Sequence, residues 1–192
     1  MCGRYYFDEE VSEAVRQLTG ELEAGIQQGD VHPSEKAVVL TSRGQEMSAE
    51  LMPWGFPKYE GKGLVINARA ETALVRPMFR DSVKMRRCVI PARHFYEWDK
   101  DKNKVTFKSI EDKVLYMAGM FDTFQGEDRF LIITTQANES MSQVHDRMPL
   151  ILDRAELEAW LCDGNSTEDF LRKKPRQLAK EQEYEQQRLP FL

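Results

Sequence analysis

The apolar positions of the chain open with a short extended run, Gly3 to Phe7, after which Val11, Val15, Leu18, Leu22 and Ile26 recur at three- and four-residue spacing. That period predicts an amphipathic helix capped by Asp8 and ended by Gly29. Up to about Leu152 the pattern then becomes a series of short apolar runs: Ala37–Leu40, Ala49–Met52, Leu64–Ile66, Cys88–Pro91, Val105–Phe107, Val114–Phe121 and Phe130–Thr134. Gly, Pro, Asn or charged breaks separate these runs, so each predicts a strand. Asp153 caps an amphipathic segment from Ala155 to Leu161, and Ser166 with Asp169 resembles a capping box before a helix over Phe170 to Tyr184, interrupted at Pro175. The stretch Glu181 to Arg188 is polar enough to be partly loose. No repeat or Gly/Ser linker divides the chain, and the expectation is an α+β fold, β-rich in the middle with helices at both ends.

Composition narrows this picture. A length of 192 residues suits one domain on a scale of roughly 100–200 residues each. With 41% hydrophobic and 31% charged residues, the chain is neither disordered nor collagenous. No apolar run approaches the roughly 18 residues of a membrane helix, and no signal-peptide core follows Met1, so a cytoplasmic protein without a membrane partner is expected. Cys2, Cys88 and Cys162 are an odd set without a Cys-x-x-Cys pair, which argues against disulfides and structural zinc; Cys88 and Cys162 read as buried thiols, and neither metal nor cofactor is expected. Between Trp54 and Ile110 there are 13 Lys/Arg against 6 Asp/Glu, a local charge of +7 inside a chain of net −5. Such a block is either a nucleic-acid surface or several unconnected solvated patches.

Five places carry candidate chemistry. A small residue after the initiator methionine permits removal of Met1, which would leave Cys2 with an α-amine and a thiol on one carbon skeleton. Such an aminothiol can take an aldehyde first as an imine and then as a five-membered thiazolidine, which no internal cysteine can form; the bland alternative is that Cys2 is merely small. Asn67, Arg69 and Glu71 alternate after an apolar run, and in a strand they would share a face able to hold a phosphate and a sugar, or form an ordinary surface pair. Glu97 lies among Phe95, Tyr96 and Trp98, where partial desolvation would raise its pKa toward acid/base use, unless it simply points to solvent from an edge strand. His145, beside Asp146 and Arg147, suits a proton shuttle or is a surface histidine of a charged loop. Trp54, in a Pro-flanked turn, is either a stacking residue or part of the core.

Taken together, Met1-Cys2-Gly3-Arg4, Trp54-Gly55, Asn67-Ala68-Arg69-Ala70-Glu71-Thr72, Pro91-Ala92 with Phe95-Tyr96-Glu97-Trp98, and His145-Asp146-Arg147-Met148-Pro149 resemble, in order and approximate spacing, the SRAP (SOS-response-associated peptidase) family over roughly residues 1–162. The resemblance implies a single compact SRAP-type domain with barrel-like sheets, followed at 163–192 by a divergent charged helical extension. It implies a sensor of abasic sites in single-stranded DNA, acting as a monomer, associated with the nucleoid on damage and attached to the lesion as a thiazolidine. Cys2 would be the nucleophile after autocatalytic loss of Met1, Asn67 would position Cys2 and the sugar, and Glu97 would act as acid/base. His145 would open the sugar ring, Arg4 and Arg69 would contact phosphates, Arg76 would supply a further DNA contact, and Trp54 would stack or wedge.

Four departures from the family pattern stand out. Asp30-Val31-His32-Pro33 replaces the expected Asn-x-x-Pro, His94 stands where a glycine is usual, and Pro77 intervenes between Arg76 and Met78-Phe79. After Cys162 the usual Val-Asn-rich terminal element is absent. Two further readings fit the same residues: an N-terminal-nucleophile cysteine hydrolase, and a non-covalent single-strand-binding module in which Cys2 is incidental.

Overall fold

The computed structural model describes residues 2–182, with Ala24 and Gln45 excepted. In chain order the first half runs β1 (Tyr5–Phe7), α1 (Glu9–Thr19), β2 (Gly29–Val31), β3 (Lys36–Arg43), β4 (Glu46–Pro53), β5 (Phe56–Pro57), β6 (Leu64–Val65), β7 (Asn67–Arg69), α2 (Ala70–Ala73) and α3 (Arg80–Met85). The second half runs β8 (Arg87–Ala92), β9 (His94–Trp98), β10 (Lys104–Ser109), β11 (Leu115–Phe124), β12 (Glu127–Gln136), β13 (Arg147–Pro149), β14 (Ile151–Leu152), α4 (Leu157–Cys162), α5 (Thr167–Arg172) and β15 (Leu178–Gln182). The expected α+β, β-rich body with outer helices is what the chain forms, and its larger sheet curls into a half-barrel.

That larger sheet has the order β13-β12-β11-β8-β3-β4, with β14 paired to β11 and β7 paired to β12. β11 and β12 form its spine as an antiparallel hairpin turning at Gln125-Gly126, both with positive φ. The Trp54-Gly55 motif draws the far end of the curl together: Gly55 N–H donates to Phe130 O at 2.7 Å and Arg129 Nε donates to Gly55 O at 2.6 Å. Gly55 has φ 113°, and a Cβ there would lie 2.9 Å from Leu64 Cδ1, so the turn has room only for glycine. Trp54 beside it is 0% exposed, stacks near Phe130 and donates its indole N–H to Ile66 O at 3.0 Å. The expected stacking or wedge role on DNA is therefore corrected: Trp54 is core, and its ring is spent on closing the sheet.

The smaller sheet has the order β15-β10-β9-β1-β2. A single residue, Arg93, separates β8 of one sheet from β9 of the other, so one short stretch of chain joins the two layers. The ladder between β1 and β9 pairs Tyr5 with Phe95 and continues past the strand end, where Tyr96 N–H donates to Arg4 O at 3.0 Å. The first residues of the chain are thereby led toward the Glu97 end of β9.

Helix α1 forms where the period predicts it, with Asp8 Oδ1 accepting the N–H of Val11 at 3.0 Å and Val11 and Val15 fully buried. The cap contributes about 1 kcal/mol. The helix ends at Gly20, not Gly29: Gly20 takes φ 80° and returns its N–H to Arg16 O at 2.8 Å. Leu22 and Ile26 still pack on the core from the segment that follows, so their spacing reports burial without helix. The expected helix from Phe170 onward is also corrected. α5 is only Thr167–Arg172, Ser166 makes no side-chain cap, and beyond Pro175 the chain becomes strand β15, paired along its length with β10. Residues 183–188 of the stretch expected to be loose lie outside the described residues.

Not every basic residue of the block is available at the surface. Arg87 is buried and donates to carbonyls of Val83 and Lys84 at the end of α3 and of Trp160 and Leu161 in α4, a cation set on two helix C-termini. Lys104 and Lys108 lie on β10 of the smaller sheet. Cys88 is buried as expected, whereas Cys162 is exposed because it ends α4 on the solvent side.

Candidate functional site

Cys2 is 1% exposed, just ahead of β1, and its Sγ approaches Arg4 O at 3.8 Å. Burial raises the thiol pKa strongly, and the negative charge of Glu97 raises it further. As it stands the thiol is neutral. Asn67 reaches it from the other sheet, its Nδ2 donating to Cys2 O at 3.0 Å. Asn67 can do this because β7 pairs in parallel with β12, Asn67 against Ile132 and Arg69 against Thr134, an unusual graft onto an antiparallel sheet.

Glu97 is buried on β9 with Val105 as its partner on β10. Burial raises its carboxyl pKa, while the amino-terminal charge and that of His145 pull it back down. The protonated carboxylic acid thus persists to higher pH than for an exposed glutamate, as the aromatic setting led one to expect. His145 sits in the segment between β12 and β13. Its Nδ1 lies 2.9 Å from the Arg147 N–H and 2.9 Å from Asp146 Oδ1. Nδ1 is thus placed to accept the Arg147 N–H.

Asn67 and Arg69 share the strand β7, but Glu71 lies in α2, so the expected single face of three is corrected. Glu71 turns instead to Arg147, accepting from both Nη1 and Nη2 at 2.7 and 2.8 Å, and Arg147 Nη2 also donates to Thr134 O at 2.7 Å. This bidentate pair ties the β7–α2 corner to the strand that follows His145, and the guanidinium holds the Glu71 carboxyl below its usual range. The structural role of Arg147 was not read from the sequence, although it sits inside the His145 motif.

Arg69 and Arg76 line a cavity of about 760 Å³ together with Asn67, Thr72 and Phe79, so one candidate phosphate contact and the further candidate DNA contact open onto the same space as the amide that reaches Cys2. Arg4 is half-buried, 3.6 Å from Asp30 Oδ2, with its guanidinium 5.1 Å from the centre of the Trp98 ring. The departure Asp30 thus supplies a charge for Arg4, and it also accepts from Tyr96 Oη at 3.0 Å. His94 fits where a glycine is usual by stacking on Tyr6 and bonding Tyr96 Oη at 2.8 Å. The indole exposed beside the site is Trp98, at 36%, which the sequence marked only as a neighbour of Glu97. Among the described residues no group of three or more His, Cys, Asp or Glu side chains is placed to hold a metal ion.

The abasic site processing protein YoqW of Bacillus subtilis is 32% identical over 191 residues, covering 89% of this chain and 84% of the relative. The abasic site processing protein YedK of Escherichia coli is 29% identical over 176 residues, covering 84% and 79%. Crystal structures of proteins from Bordetella bronchiseptica and Bacteroides thetaiotaomicron share the fold, with TM-scores of 0.79 and 0.76 at 23% and 21% identity; they cover 95% and 94% of this chain, and 100% and 91% of their own. The family model for SOS response associated peptidase matches residues 1–189, through β15 as well as the sites above. With that match running nearly end to end, the chain belongs to the SRAP family.

Proposed function

We propose that this protein processes abasic sites in single-stranded DNA, capping each lesion covalently through Cys2 after removing its own Met1, and that it does so as a monomer in the response to DNA damage. The observation that carries the reading is the convergence on Cys2 of the Asn67 amide, at 3.0 Å from its carbonyl, and of the Glu97 carboxyl, close enough to raise its thiol pKa. The relatives named abasic site processing proteins supply the substrate class.

The chemistry balances without an external reagent other than water. Hydrolysis of the Met1–Cys2 peptide bond consumes one water and frees the α-amine. The abasic sugar is mostly a closed hemiacetal, so a proton must reach the ring oxygen before C1′ becomes an aldehyde; His145 with the buried acid Glu97 supplies and returns that proton. The amine adds to C1′ and water leaves, giving an imine. The thiol then adds across C=N, sulfur bonding to C1′ and the thiol proton ending on nitrogen, so protein and DNA join with the loss of one water. Glu97 as carboxylate takes the thiol proton during that step, which offsets the raised thiol pKa. Asn67 holds the start of the chain against the sugar, Arg4 and Arg69 meet phosphates, and Arg76 supplies a further DNA contact.

The test is intact mass of the protein before and after incubation with a single-stranded oligonucleotide bearing one abasic site. A species without Met1 that gains the oligonucleotide less one water, survives denaturation and is lost in Cys2→Ala is expected. Absence of adduct from protein whose Cys2 amine is free would overturn the reading, and salt-sensitive binding unchanged in Cys2→Ala would replace it with a non-covalent module.

A further inference from the structure

The segment between β12 and β13 that presents His145 also contains a polar side chain buried as deeply as the core. Asn138 is 3% exposed, and its amide is fully used. Nδ2 donates to Pro175 O at 3.1 Å and Arg176 O at 2.8 Å. Oδ1 accepts from the Ser140 N–H at 3.0 Å and from its hydroxyl at 2.6 Å. The Ser140 hydroxyl in turn accepts the Leu178 N–H at 3.1 Å. A buried amide left without partners costs about 1–3 kcal/mol, so this set of bonds exists only if both segments are in place together.

His145 hangs from the same node. Met141 N–H donates to Asn138 O at 3.1 Å, and His145 N–H donates to Met141 O at 3.0 Å. At the other end, Leu178 begins β15, whose Gln182 pairs with Val105 on β10, and Val105 is also the partner of Glu97 on β9. Residues 175–182 therefore hold the His145 segment at one end and back the Glu97 strand at the other. Neither catalytic candidate touches this segment through its own side chain in the bonds just traced, yet each is linked to it through them.

We propose that Asn138 is a positioning residue for lesion capping: by fastening the His145 segment to residues 175–178, it sets the imidazole relative to Glu97. The proposal takes its chemical meaning from the proposed function, but its geometric content can be measured without any DNA. The chain has three histidines, so the His145 ring resonances are identified by their loss in His145→Ala.

The experiment compares wild type, Asn138→Ala, His145→Ala and the double variant. In Asn138→Ala the His145 ring signals are expected to shift or broaden while those of His32 stay in place. The rate of adduct formation with the abasic oligonucleotide is expected to fall about tenfold while affinity for the same oligonucleotide without a lesion changes less than twofold. The double variant is expected to be no slower than His145→Ala alone. Unmoved His145 signals, rate losses that multiply in the double variant, or affinity falling in step with rate would each overturn the proposal. Should Asn138→Ala not fold, Ser140→Ala removes the two bonds of the hydroxyl, to Asn138 Oδ1 and from the Leu178 N–H, while leaving both Nδ2 bonds of Asn138 in place, and must move the same signals in the same direction. If wild type forms no adduct, the proposed function fails, while the His145 resonances still decide whether Asn138 positions the ring.

Discussion

The side-chain amide of Asn67 and the backbone carbonyl of Cys2 meet at 3.0 Å across 65 residues of sequence. The bond joins a strand of the larger sheet to the chain end that leads into the smaller one, so it fixes where the nucleophile stands without consuming either of its reactive groups. Asn67→Ala removes one hydrogen bond, a net effect of about 1 kcal/mol, and a roughly tenfold slower adduct formation is expected. Single-turnover kinetics with the abasic oligonucleotide measure this. An unchanged rate would deny Asn67 its role.

The buried carboxyl of Glu97 makes a prediction in both activity and stability. Glu97→Gln keeps the shape but cannot exchange a proton, so adduct formation is expected to fall about 100-fold or more. Because the native pKa is raised, the folded protein holds this proton more tightly than the unfolded chain does. Its contribution to stability is therefore full below the ordinary carboxylate range and is lost as pH rises through the native value. Thermal melts should show Glu97→Gln gaining on wild type as pH rises from 4 to 8. A gap that widens in the opposite direction would contradict the assignment.

The Glu71–Arg147 pair carries the opposite sign. Arg147 is nearly buried and Glu71 about half exposed, so the main loss in Glu71→Gln is an under-partnered guanidinium, expected to cost about 1–2 kcal/mol at neutral pH. The native Glu71 pKa is lowered, so the stabilisation is present above the ordinary carboxylate range and lost as pH falls through the native value. Denaturant titrations at pH 7 and pH 3 measure it; the difference between variant and wild type is expected to close at the lower pH.

Much of the fold was written in local patterns. The strand runs from Ala37 to Thr134 and the Asp8 cap follow from alternation and capping chemistry, which act within a few residues. The helix period failed at Gly20, where a left-handed glycine ends the helix while Leu22 and Ile26 continue to find the core from a non-helical path. The segment after Pro175 is polar enough to read as helix, and only its partner β10, some seventy residues earlier, makes it a strand. Cys2, Asn67, Glu97 and His145 each had a bland reading of its own, and only the resemblance of five motifs in order marked them together as candidate chemistry. Their mutual placement was not legible, because it depends on the parallel graft of β7 and on Arg147 and Asn138, whose partners are remote in sequence. Trp54 shows the reverse error: a conspicuous aromatic whose ring closes a sheet.

The burial of Cys2 bears on how long the protein stays competent. Peroxide and alkylating agents consume thiolates that they can reach, and the ladder from sulfenic to sulfonic acid ends in an irreversible product. A thiol 1% exposed and kept neutral by its surroundings offers such reagents almost nothing to attack. Under the proposed chemistry the capping sulfur of each molecule is that of Cys2 alone. The enclosure that slows its ionisation therefore also works as storage, keeping an unspent molecule usable under the oxidative conditions that damage DNA bases.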